Sequence, residues 1–124
     1  MKKALLIIII IITVLFSKMV LSQGAFGDYQ RAEKFLQKDF PIIGEVRGQG
    51  LFLGFELSDV NKNPLSNKAT YLTNRMKDLG VLMSIDGQDN NVLKIKPPIV
   101  FAKKNADELI FRLKTVFAED FMEQ

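Results

Sequence analysis

The sequence predicts an α+β fold: a small two-layer domain with a mainly antiparallel sheet and helices packed on it. Three observations lead there. Pro41 to Leu57, PIIGEVRGQGLFLGFEL, is an apolar strand pattern interrupted by Gly44, Gly48 and Gly50. Val81 to Lys96 holds two more strand-like runs about a turn of Asp, Gly and Asn. Stretches with apolar residues every three or four positions alternate with these runs, the spacing of helices that bury one face.

Met1 to Ser22 stands apart from that pattern. Lys2 and Lys3 precede an almost wholly apolar run from Ala4 to Phe16, then small and polar residues, with Val20 and Ser22 suited to a cut before Gln23. This is the layout of a secretory signal peptide. The run is shorter than the roughly 20 residues of a membrane span, so an anchor would have to tolerate Lys18 snorkelling to the interface. The expected division is 1–22 as signal peptide or membrane anchor and 23–124 as one domain, secreted, periplasmic or anchored. A gene fusion or misassigned start would leave the leader without that meaning.

The remaining elements follow in order. Phe26, Tyr29, Ala32, Phe35, Leu36 and Phe40 form a helical stripe over Gly27 to Asp39, stopped by Pro41. Glycines inside the next strand pattern cost backbone entropy and mark a bulge or tight bend. Leu51, Phe52, Leu53, Phe55 and Leu57 read as a central strand buried on both faces. A loop from Ser58 to Ser66 leads to a helix carried by Ala69, Leu72, Met76 and Leu79, capped by Ser66 or Asn67 and ended by Gly80. Strands Val81 to Ile85 and Val92 to Lys96 then pair about the turn Asp86 to Asn91. Pro97 and Pro98 end the second strand. The last helix, Lys103 to Phe121, carries Ala106, Leu109, Ile110, Leu113, Val116 and Phe117, with Ala102 as a capping residue that has no side-chain acceptor. A missing cap costs about 1 kcal/mol.

Composition removes several functions. The chain has no Cys and no His, which excludes disulfides, thiolate chemistry, His-ligated metals and nucleophile–His pairs. Three of the 17 basic residues are leader lysines, so the rest of the chain balances its 14 acids. No nucleic-acid partner is therefore expected, and membrane contact is expected only through the N-terminal segment. Gly48, Gly50 and Gly54 give G-x-G-x-x-x-G, one residue too long for a dinucleotide loop and set within strands. The turn DGQDNN lacks the spacing and distal Glu of a calcium loop. Two cations are candidates for substrate binding. Arg47 is either a fork for a carboxylate or phosphate, or the partner of Glu45, Glu56 or a helix carboxylate. Lys94 shares a strand face with Lys96, opposite Leu93 and Ile95, and that face is either solvated or turned to substrate.

The order RGQGLF, GVL, KIKPP and NADEL, over Phe26 to Phe121, resembles the C-terminal small domain of class III pyridoxal-phosphate aminotransferases. Alanine–glyoxylate aminotransferase-like proteins and ethanolamine-phosphate and phosphohydroxylysine phospho-lyases are its most similar members. The resemblance implies a parent activity of transamination or phosphate elimination on an amine, in the cytoplasm, with pyridoxal phosphate as cofactor. It also implies that the Schiff-base lysine, the acid on the ring nitrogen and the phosphate cup belong to a large domain with no counterpart here, so no cofactor is expected on this chain alone. Lys94 matches a position where many members carry an Arg that grips a substrate carboxylate. Lys keeps the charge without the planar fork, and it is familiar in the phospho-lyase-like members. The expected protein is a detached or fragmentary small domain, inactive alone. Its expected partner is a large domain, or a second copy through an uncovered patch of Pro97, Pro98, Ile99, Val100 and Phe101. The alternative is an exported, non-catalytic binding module on the same fold.

Overall fold

The computed structural model describes residues 36–49 and 52–123. The leader, most of the helix expected over Gly27 to Asp39, and Gly50 with Leu51 lie outside them. Residues 36–39 are helical, and Leu36 is buried in the core.

Strand β1 (Ile43–Gln49) pairs antiparallel with β2 (Phe52–Leu57). The register runs Ile43 to Leu57 and then Val46 to Phe55, so two residues of β1, Gly44 and Glu45, oppose Glu56 alone. That is the bulge expected of the glycine-rich strand. Gly48 has φ +141, and a Cβ there would meet the Phe52 carbonyl oxygen at 2.2 Å. Only glycine fits that place.

Helix α1 (Ser66–Asp78) follows the loop, and Gly80, with φ +81, terminates it as expected. Leu65 holds the N-cap position without a side-chain hydrogen bond. Ser66 is the first helical residue, and its hydroxyl donates to the Asp89 carbonyl, so neither Ser66 nor Asn67 is the cap. Strands β3 (Ser84–Asp86) and β4 (Val92–Ile95) form the second hairpin. Ser84 starts β3, later than the expected Val81, and β4 stops at Ile95, one residue before Lys96. β4 pairs with β2, giving one antiparallel sheet in the order β1-β2-β4-β3.

Helix α2 (Lys103–Phe117) ends earlier than periodicity suggested, and a short α3 (Asp120–Glu123) turns away from it. The break lets α3 bury Met122 while Glu119 reaches α1. Ala102 is the N-cap, and the Asn105 side chain accepts its backbone N–H at 2.9 Å.

The helices cover one face of the sheet. Leu53, Phe55, Leu57, Leu93 and Ile95 meet Leu72 and Met76 of α1 and Leu109, Leu113, Val116 and Phe117 of α2. Phe40 stacks on Phe117 at 4.9 Å between centroids. β2 is central but is not buried on both faces. Its Leu53, Phe55 and Leu57 are buried, whereas Phe52, on the opposite face, is 56% exposed. Gly54 and Glu56 stand there half-buried.

Candidate functional site

Pairing in the sheet gathers the two sequence-predicted cations. Arg47 of β1 stands opposite Gly54 of β2, and Gly54 stands opposite Lys94 of β4. Paired residues point to the same face of a sheet. Arg47 and Lys94 therefore flank a position with no side chain, on the face the helices leave open. A cleft of about 330 Å³ lies there, lined by Arg47, Gly48, Phe52, Gly54, Asp86 and Lys94 among others. A Cβ at residue 54 would point into it and meet the Leu93 carbonyl oxygen at 3.1 Å. Adjacent strands lie about 4.8 Å apart, so the two cationic residues rise about 9 to 10 Å apart across Gly54.

Each cation already has an acidic partner. Arg47 pairs with Glu45 at 3.0 Å and with Glu56 at 3.7 Å, two acids that the sequence suggested. Lys94 pairs with Asp86, which sits on its diagonal across the β3–β4 hairpin. Sequence reasoning took Asp86 only as a turn residue. The period-2 pattern on both sides of the turn puts it within reach of Lys94 once the register is known. Lys96 lies on the same open face, 5.2 Å from the centroid of the Phe52 ring. The missed members of the site are thus Asp86, Gly54 and Phe52.

A second polar cluster holds the helices together away from the cleft. Arg75 of α1 grips Glu119 through Nε and Nη2, the closest contact 2.8 Å, and the Tyr71 hydroxyl donates to Glu119 at 2.6 Å. The Arg75 guanidinium, then the Tyr71 hydroxyl, hold the Glu119 carboxyl below its ordinary value. The same carboxylate raises the Tyr71 hydroxyl and the Arg75 guanidinium above theirs. Among the described residues no group of three acids could hold a metal ion, and no helix is long and apolar enough to cross a membrane.

The expected uncovered patch is smaller than the sequence suggested. Ile99 and Val100 are 85% and 80% exposed. Phe101, by contrast, is half-buried and packs against the core, because the turn before α2 brings it back under the sheet.

A model of the family "Aminotransferase class-III" matches residues 4–117, beginning inside the N-terminal apolar run. An alanine–glyoxylate aminotransferase 2-like protein of Drosophila melanogaster is 47% identical over 88 residues, covering 68% of this chain and 18% of that protein. An ethanolamine-phosphate phospho-lyase homolog of Caenorhabditis elegans is 42% identical over 85 residues, covering 65% of this chain and 18% of that one. An Arthrobacter phospholyase, solved in complex with phosphoethanolamine, superposes with a TM-score of 0.71 at 33% identity over 73% of this chain and 22% of its own. The chain thus spans about a fifth of the length of these relatives. Class III aminotransferases depend on pyridoxal phosphate. That cofactor needs a free lysine amine, a separate acid for the ring nitrogen and a phosphate cup. The cleft does not fit it, since Lys94 is committed to the one acid beside it and no lining residue belongs to a helix. In family, fold and order of motifs, the chain belongs to the class III aminotransferases.

Proposed function

We propose that the chain serves as the small domain of a pyridoxal-phosphate-dependent aminotransferase or phospho-lyase, and that its open sheet face seats the anionic end of an amine substrate. The observation that carries this is the row Arg47–Gly54–Lys94, two cations across a gap on the uncovered face. Lys94 offers a point charge and Arg47 a fork, the pair of donors suited to a phosphate more than to a single carboxylate. The phospholyase solved with phosphoethanolamine and the phospho-lyase homolog of C. elegans support a phosphorylated amine as the substrate class. Cofactor chemistry is assigned to the large domain of such enzymes, and these 124 residues correspond to about a fifth of the relatives' length. Family membership does not favour a non-catalytic exported module.

The test is complementation. The chain is mixed with the large-domain part of the Drosophila relative and pyridoxal phosphate. The expected result is a visible cofactor band and release of phosphate from phosphoethanolamine, both absent from either part alone. Lys94→Met should keep the band and lose most of the turnover. An unchanged spectrum and no turnover on mixing would overturn the proposal.

A further inference from the structure

The turn between β3 and β4 carries a chemistry that the cleft does not use. Asp86 ends β3 and pairs with Val92, the last pair before the chain turns back. The turn needs glycine at 87, since its φ is +87 and a Cβ there would meet Val92 Cγ2 at 2.9 Å. The fold thereby puts the least hindered kind of backbone nitrogen directly after an aspartate. That nitrogen lies 2.8 Å from Asp86 Oδ1, to which its N–H donates, so the carboxyl group is folded over its own following peptide bond. The Asp86 side chain is half exposed and open to water.

No other described aspartate combines these features. Asp39, Asp78, Asp107 and Asp120 are helical, and a helical amide N–H points along the axis, away from the preceding side chain. The Asp59 carboxylate accepts the Asn61 and Asn63 N–H groups, and a β-branched residue, Val60, follows it. Asp89 precedes Asn90, whose N–H donates to the Gly87 carbonyl at 3.2 Å.

We propose that Asp86–Gly87 is a site of self-modification, where the chain closes a succinimide and then forms isoaspartate without an enzyme. The Gly87 nitrogen bonds to Asp86 Cγ, the bond from Cγ to its hydroxyl oxygen breaks, and that hydroxyl leaves with the amide proton as water. Water then opens the ring at either carbonyl. One opening restores aspartate, and the other gives isoaspartate. Closure needs the carboxyl group turned so that Cγ, not Oδ1, faces the nitrogen. Lys94 on Oδ2 opposes that rotation, and fraying of the three-residue β3 at the edge of the sheet permits it. Isoaspartate adds one carbon to the main chain and draws the carboxylate in by one methylene. Lys94 then loses its partner, whatever occupies the cleft.

The full 124-residue chain is aged in neutral buffer at body temperature and sampled over weeks by peptide mapping, with fragmentation to place each modification. A species lighter by one water should appear at Asp86 before any other described aspartate. One of unchanged mass that accepts a methyl group from an isoaspartate methyltransferase should follow it. Asp86→Glu keeps the charge but would need a six-membered ring, and it should abolish both species. Lys94→Met should speed their accumulation about two- to fivefold, the range of an exposed ion pair, and Lys94→Arg should restore the wild-type rate. Asp89 in the same turn reports general loosening, so the ratio of Asp86 to Asp89 modification is what Lys94→Met should raise. Modification first at another described aspartate, or none at Asp86 after weeks, overturns the site. A ratio unchanged by Lys94→Met overturns the restraint by Lys94.

Discussion

Gly48 shows how much one position can constrain the hairpin that carries Arg47. Its φ of +141 and the 2.2 Å approach of the Phe52 carbonyl leave no room for a side chain. A non-glycine residue in such backbone costs about 1 to 3 kcal/mol, and here the clash with backbone adds to the strain. Gly48→Ala should therefore lower the urea midpoint by at least that range and loosen the β1–β2 pairing, seen as faster amide exchange in β2. Gly54 is a different case, since its backbone is ordinary and its value lies in the space above it. Arg47 was legible as an ion-pair partner from Glu45 and Glu56 nearby in sequence. Asp86 as the counter-ion of Lys94 was not, because the eight-residue separation becomes a contact only through the hairpin register.

At the scale of elements, α2 begins on a residue that cannot cap it. Ala102 has the extended backbone of an N-cap, φ −98 and ψ 167, but supplies no side-chain acceptor. Ala102→Ser should stabilise the chain by about 1 kcal/mol, raising the urea midpoint. The junction of α2 and α3 is held to α1 by Glu119. A carboxyl whose pKa is lowered on folding adds stability that is complete above its unfolded value, about 4.5, and is lost as pH falls through the lowered one. Tyr71, raised on folding, adds stability that is complete below about 10 and is lost as pH rises through the raised value. Unfolding midpoints measured across acid and alkaline pH should fall at both ends. Glu119→Gln should flatten both arms, since it removes the carboxylate that shifts Tyr71 as well as its own titration.

For the whole molecule, the exposed apolar side chains set an expectation about association. Ile99 and Val100 stand in water beside the Pro97–Pro98 segment. A contiguous exposed apolar patch drives association. Sedimentation should show the chain self-associating, and Ile99→Ser with Val100→Ser should shift it towards monomer with an unchanged urea midpoint. Phe101→Ser should instead lower the midpoint, because Phe101 packs against the core. A wild-type chain that sediments as a clean monomer would remove self-association and leave the large domain as the partner for that patch.

The sequence by itself determined the fold class, the two hairpins, both long helices and the family, because each is written in local order. Period-2 and period-3.6 apolar spacing, glycines that only special backbone accepts, and the run of motifs from RGQGLF to NADEL all lie along the chain. It also placed Lys94 opposite the buried face of its strand, since alternation needs no partner. The tertiary structure alone decided which face of β2 the helices cover, that Phe101 turns inward, and that the last helix breaks so that Glu119 can reach Arg75. It alone brought Arg47, Gly54 and Lys94 into one row with Asp86 beside them. The physical reason is range: a residue's backbone preference acts over a few neighbours, whereas a binding cleft is made by strand register, which joins positions 47, 54, 86 and 94 only after the sheet has formed.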